Sequence, residues 1–148
     1  MILEVFRLNG RLLSAGDALT SPVSQTSARW QVLGALDEEG HTVAEIGRRM
    51  GLARQSVQRT TDLLEADGLV SYAENPAHQR AKLAVLTARG RAVLDDIMSR
   101  QIEWANRVAS RLTEADLVHA IRTLLEVREA IEGSAVSASR ISRKRRGT

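Results

Sequence analysis

Five hydrogen-bonding side chains crowd into one short stretch of the chain: Arg54, Gln55, Ser56, Gln58 and Arg59. If this stretch is helical with Val57 turned inward, about 100° of rotation per residue puts Thr60, Thr61 and Leu64 near Val57. Gln55, Gln58, Arg59 and Asp62 then point outward, with Arg54 and Ser56 on the flanks near the helix start, where free backbone amides favour phosphate. Such a face suits the edges of base pairs. Glutamine can pair at two points with adenine, arginine with guanine, and serine or threonine with phosphate or base. An apolar outer face would have pointed to a protein partner instead. Further along, Arg80 and Lys82 add two cations in and beside a turn-rich loop at residues 75–81.

Other chemistries find little support. The chain has no cysteine, which excludes a disulfide framework, a thiolate zinc site and a thiol-based redox sensor. His41, His78 and His119 lie in different parts of the sequence with no ligand-like spacing, so no metal site is expected. A glycine-rich phosphate loop and a nucleophile signature are both missing. The expectation is a protein that is not an enzyme and carries no cofactor. Trp30 and Trp104 are the two tryptophans; Trp30, at helical spacing with Leu33, reads first as a core residue.

Charge is unevenly spread. The formal net charge is +3, but residues 42–91 carry +3 and residues 133–148 carry +5, while residues 1–41 and 92–132 carry −2 and −3. A polyanion-binding surface is therefore expected in the middle of the chain and in the tail. Nineteen of the 21 basic residues are arginine, whose planar fork suits phosphate and guanine edges. The N-terminus lacks a basic start followed by an apolar run, and no stretch approaches the roughly 20 apolar residues that span a bilayer. No membrane association is expected, and the cytoplasm is the expected location.

The elements that position these residues follow from apolar spacing and punctuation. A first helix is predicted over residues 3–18, interrupted in character by Asn9-Gly10 and ended by Ser21-Pro22. A second, over 26–38, carries Trp30, Leu33 and Leu36 and stops at Gly40. Thr42-Val43-Ala44-Glu45 has the form of a capping box and opens a short helix to residue 50. Gly51 supplies a tight turn, and the polar-faced helix described above runs over 53–67 to Gly68. Residues 69–74 and 82–86 read as strands of a hairpin around the basic loop. Thr87 then caps a long helix to residue 112, Thr113 opens another, and Gly133 is expected to end it. Residues 133–148, rich in Ser and Arg, read as a disordered basic tail.

Taken in this order, the pieces resemble the multiple antibiotic resistance regulator (MarR) family of bacterial winged-helix repressors and activators. The resemblance covers about residues 25–132. It is carried by Trp30-Gln31-Val32-Leu33, by Thr42-Val43-Ala44-Glu45-Ile46-Gly47-Arg48-Arg49-Met50-Gly51-Leu52, by Leu63-Leu64-Glu65-Ala66-Asp67-Gly68-Leu69-Val70, and by Leu86-Thr87-Ala88-Arg89-Gly90. It implies a mainly α fold with a small β-hairpin wing: a winged helix-turn-helix at 42–87, within one domain over 1–132. Dimerisation helices are implied at about 3–19 and 88–132. Val5, Phe6, Leu12, Leu13, Leu117, Ile121, Leu124 and Leu125 are indeed more apolar surface than a winged-helix lobe alone needs to bury.

The function this implies is a sequence-specific transcription regulator, read as a repressor. It would bind a pseudo-palindromic site on double-stranded DNA as a homodimer, and a small-molecule effector would release it. DNA contacts are expected from Arg54, Gln55, Ser56, Gln58, Arg59, Arg80 and Lys82, and effector contacts from Trp30 and Trp104. The family's wing usually carries an acidic residue followed closely by two adjacent arginines, whereas this chain has Ala77, His78, Gln79 and Arg80. Arg80 matches the second arginine, which by resemblance enters the minor groove; Gln79 replaces the first. The basic tail is a candidate to supply the lost affinity through counterion release. Two alternatives remain: a winged helix used as a protein-interaction module, and a sequence-tolerant nucleoid-associated protein.

Overall fold

The computed structural model describes residues 1–36, 38–78 and 80–145, with side chains as far as Gly133. It divides into two compact units, Met1–Glu103 and Trp104–Thr148. The first begins with helix α1 (Ile2–Thr20), which ends where Pro22 enters a single 3₁₀ turn, Ser21–Val23. Helix α2 (Ser27–Gly34) is capped by the Thr26 hydroxyl, which accepts from the Arg29 amide, and is tied to α1 by the Ser27 amide donating to Asp17 at 2.7 Å. It is shorter than the helix over 26–38 read from the sequence. After Gly34 the amides of Ala35 and Leu36 bond three residues back, so the last turn tightens while Leu36 still buries into the core.

The central elements follow the expected order: α3 (Val43–Met50), α4 (Arg54–Ala66), β1 (Val70–Ala73), β2 (Leu83–Leu86) and α5 (Ala88–Ala109). At α3 both halves of the capping box are made. The Glu45 amide donates to the Thr42 hydroxyl, and the Glu45 carboxylate accepts from the Thr42 amide at 2.8 Å. Gly51 takes the left-handed conformation that reverses the chain, φ +65°. The inward face of α4 is Val57, Thr61 and Leu64, all fully buried, with the Thr61 hydroxyl donating to the Val57 carbonyl. These side chains meet Val32, Leu33, Ile46, Leu69, Val70, Ala84 and Leu94 in one core.

The two strands form an antiparallel hairpin with Val70 opposite Leu86 and Tyr72 opposite Ala84. A bridge between His41 and Ala84, made of two backbone hydrogen bonds of 2.9 and 3.1 Å, fixes the hairpin to the segment entering α3. Gly40 permits this approach: its φ is +74°, and a Cβ there would lie 2.4 Å from Val85 Cγ1.

The second unit holds the end of α5 and helix α6 (Glu114–Arg145), whose start is closed by Asp116 accepting from the Thr113 hydroxyl and amide. The sequence reading ended this helix at Gly133 and made residues 133–148 a disordered tail; instead the helical backbone continues to Arg145. One glycine costs about 1 kcal/mol in a helix and does not by itself stop one. Its C-terminal neighbours are Ser, Ala, Val, Arg, Ile and Lys, with no proline. Residues 146–148, and the side chains of the basic tail, lie outside the described part.

Two sets of large apolar side chains stay in solvent. On α1 they include Leu3, Phe6, Leu8 and Leu12; on α6 they are Val118, Ile121, Leu124, Leu125 and Ile131. Phe6 is 67% exposed and Ile121 58%, far more than a helix finishing its packing within one chain leaves open. Among the described residues no helix is long and apolar enough to cross a membrane.

Candidate nucleic-acid interface

The polar face of α4 is held at both ends. At its start, α3 and α4 pack across the turn, where a Cβ on Gly47 would sit 3.0 Å from the Leu52 carbonyl oxygen, so a side chain there would press on the turn. At its end, three side chains from other elements donate to carbonyls of the last turn and of the residues just after it. The Thr87 hydroxyl donates to Gly68 O at 2.8 Å and Arg89 donates to Asp67 O at 3.0 Å. Arg29 from α2 donates to Leu63 O and pairs with the Asp67 carboxylate. The helix therefore cannot roll without breaking contacts to α2 and to the start of α5.

Arg54, Gln55, Ser56, Gln58 and Arg59 are all exposed on this face, as the inward placement of Val57 required. The structure gathers them unequally. Arg54 and Gln58 meet Arg80 and Lys82 from the wing around a groove of about 480 Å³, which the N-terminal end of α3 also borders. None of the side chains lining it is acidic. Gln58 also belongs, with Gln55 and Arg59, to a shallower hollow of about 440 Å³ on the other side. Ser56 borders neither of these. Arg80 sits just beyond a loop stabilised by the Asn75 side chain accepting from the Ala77 amide; Gln79 lies outside the described residues.

The structure adds two residues to this face. Gln58 Nε2 donates to Asp62 Oδ1 at 2.8 Å and to the Tyr72 hydroxyl at 2.9 Å, while the Tyr72 hydroxyl donates to the same Asp62 oxygen at 2.9 Å. Burial, and then the hydrogen bond and charge of Asp62, push the Tyr72 phenol up to about 12. The sequence reading turned Asp62 outward beside Gln58 but assigned it no role, and it read Tyr72 only as a strand residue. The spacing of Gln58 and Asp62, four apart on a helix, was the one available signal. The strand that brings Tyr72 to them could not be aligned from sequence alone. On α3, the amide and then the hydroxyl of Thr42 hold Glu45 below the usual carboxylate range.

The two tryptophans fall in different units. Trp30 is half-buried against the core. It also lines, with Met50, Met98 and Gln101, a cleft of about 300 Å³ within the first unit. Trp104, on α5 where the second unit opens, is half-buried. Among the described residues no cluster of three His, Asp or Glu side chains could hold a metal ion.

A capped short helix, a glycine turn, a second helix with a polar face and a hairpin set beside it define a winged helix-turn-helix protein. Residues 25–81 match the sequence profile of the MarR family. An uncharacterized protein of Mycobacterium tuberculosis is 38% identical over 117 residues, covering 79% of this chain and 82% of its own length. The fold is similar to that of CouR from Rhodococcus jostii RHA1 bound to p-coumaroyl-CoA, with a TM-score of 0.74 and 25% identity over 81% of this chain and 85% of that one. It is also similar to Staphylococcus aureus MepR in complex with DNA, with a TM-score of 0.78 and 18% identity over 88% of this chain and 98% of that one. The chain belongs to the MarR family of transcription regulators.

Proposed function

We propose that this protein binds a specific pseudo-palindromic site on double-stranded DNA as a homodimer in the cytoplasm, and represses transcription from it. In this reading α4 lies in the major groove, where Gln55, Gln58 and Arg59 reach base edges and Arg54 and Ser56 reach phosphate. Arg80 enters the adjoining minor groove and Lys82 neutralises the backbone beside it. The observation that carries the proposal is the acid-free groove between α4 and the wing, ringed by Arg54, Arg80 and Lys82 and bordered by Gln58. A protein-interaction module would be expected to present apolar side chains there.

The exposed apolar faces of α1 and α6 support a dimer, because two copies can cover in each other what neither covers alone. A two-fold dimer reads half-sites about 10 base pairs apart. The cleft beside Trp30 is the candidate place for an effector: its lining of tryptophan, two methionines and two glutamines suits a flat, largely apolar molecule with a polar end. Trp104 is a candidate second contact. An effector acts by binding the DNA-competent dimer less well than another arrangement of it.

The test is selection of bound sequences from a random DNA pool, with wild type and with Arg59→Ala. A pseudo-palindrome that the substitution weakens by about 1–3 kcal/mol and relaxes at one position supports the proposal. Binding with no enriched motif favours a nucleoid-coating protein, and no binding at moderate salt favours a protein-interaction module. Placing the selected site across a promoter ahead of a reporter then separates repression from activation.

A further inference from the structure

The chain has no cysteine, so its sulfur lies in three methionines, Met1, Met50 and Met98. Two of them come from distant parts of the sequence to one place. Met50, the last residue of α3, and Met98, on α5, line the cleft beside Trp30. They are 38% and 39% exposed, although methionine is among the residue types most often fully buried. A thioether within reach of solvent is open to two-electron oxidants. The cleft also lies at a mechanical junction. α4 is held at its start by the turn that leaves α3 at Gly51, and just beyond its end by α5, where Arg89 donates to Asp67 O and Gly90 approaches the Leu69 carbonyl. Met50 and Met98 stand on those same two helices.

From this juxtaposition, and resting on the DNA-binding reading above, we infer that Met50 and Met98 form a reversible oxidation site through which a peroxide lowers the affinity for DNA. In the step, a sulfur lone pair attacks one oxygen of hydrogen peroxide and the O–O bond breaks. The departing hydroxide takes the proton from the sulfur-bound oxygen and leaves as water. The methionine loses two electrons and becomes a sulfoxide, and the peroxide gains them. An apolar thioether is thereby exchanged for a polar S–O group that accepts hydrogen bonds. Gln31 and Gln101, which border the same cleft, carry amide donors suited to it. The thioethers favour a cleft closed on its apolar walls, whereas the sulfoxides favour a wider one with water or a glutamine N–H at each new oxygen. Widening parts α3 from α5 and so displaces both anchors of α4. Oxidation thus biases the arrangement of the DNA-reading helix by favouring one of two states, without touching DNA itself. Because sulfoxide reductases restore the thioether, the change can be undone.

The test treats the full chain with hydrogen peroxide, locates the added oxygen by peptide mass spectrometry, and measures affinity for the DNA site that the untreated protein selects. Oxidation at Met50 and Met98 should weaken binding about fivefold or more. Met1, 79% exposed at the chain start, is oxidised under the same conditions and serves as the internal reference. The double variant Met50→Leu/Met98→Leu keeps side-chain volume and removes both sulfurs. Whatever its own affinity, treated and untreated samples of it should bind alike. Incubating oxidised wild type with methionine sulfoxide reductases for both sulfoxide epimers should restore binding; this arm needs no variant, and it separates methionine chemistry from damage to other side chains. Unchanged affinity with Met50 and Met98 fully oxidised overturns the inference. So does a failure of these two to react where Met1 does, a loss that persists in the double variant, or a loss that the reductases do not reverse. If untreated wild type selects no DNA site, the DNA-binding reading fails first and the inference with it.

Discussion

Gly90, the third residue of α5, lies against the end of the wing, and replacing it by alanine should destabilise the protein although it sits in a helix. A Cβ at this position would fall 1.9 Å from the Leu69 carbonyl oxygen and 2.9 Å from its carbon. Reaching even 3.0 Å from that oxygen requires the backbone of β1's approach and the start of α5 to part by about 1.1 Å. The neighbour is backbone, with no flexible side-chain end to swing away. That carbonyl accepts from the Thr87 amide at 3.1 Å, and the Gly90 amide donates to the Thr87 hydroxyl at 3.0 Å, so separation strains the whole junction. Overpacking costs about 1–3 kcal/mol, and a lost hydrogen bond about 1 kcal/mol. The better helix propensity of alanine returns about 1 kcal/mol. The net expectation is a loss of about 1–3 kcal/mol, or about 2–12 °C in Tm for a chain of this size. Denaturant unfolding at fixed protomer concentration and matched m-values measures it. Gly34→Ala is the control: also helical, its Cβ would meet nothing closer than Trp30 Nε1 at 3.9 Å. It should gain about 0.5–1 kcal/mol. A Gly90→Ala protein as stable as wild type, or more so, would refute the close approach on which the reasoning rests.

Removing the Lys82 ammonium with Lys82→Ala should weaken binding to all DNA sequences alike and reduce the slope of log affinity against log salt by about 1, measured by fluorescence anisotropy at several salt concentrations. Thr42→Ala should cost about 1–2 kcal/mol in denaturant unfolding, because the α3 capping box loses its hydroxyl. Because Glu45 titrates below its unfolded value, its share of stability is present above about pH 4.5 and lost as pH falls through the folded pKa; that acid-side dependence should shrink in Thr42→Ala. Tyr72 is the sole tyrosine, so tyrosinate absorbance reports it alone; its midpoint should lie near 12, and Asp62→Asn should bring it part of the way back towards 10. With the folded value above the unfolded one, stability from this group is complete below pH 10 and falls between 10 and about 12.

The elements of the winged helix were legible because each is announced by residues with a narrow structural meaning. Thr42 and Glu45 sit at capping-box spacing, Gly51 and Gly68 adopt the positive φ their turns need, and Val57, Thr61 and Leu64 recur at helical spacing and prove to be fully buried. Where the reading went astray, the deciding interaction was weak or distant. Gly133 reads as a stop, yet a glycine between helix-compatible neighbours is a small penalty that α6 absorbs. The end of α2 depended on Ala35 and Leu36 closing three-residue turns and burying into the core, which spacing alone does not distinguish from another helical turn.

The limit is sharpest at Gln58. Helical geometry was enough to turn this side chain outward, and residue type was enough to suggest adenine, but the orientation of an amide is decided by what lies within 3 Å of it. Asp62 is four residues away on the same helix and was in reach of the sequence argument; Tyr72 arrives through the hairpin, set by a register that pairs it with Ala84 and by the bridge from Ala84 to His41. A change in that register by one residue would turn the tyrosine to the other face of the hairpin and release the amide. The placement of a side chain on α4 would then depend in part on the pairing of two short strands. Tyr72→Phe should thus loosen Gln58 from the wing, whereas loss of Lys82 should change only how tightly DNA is held.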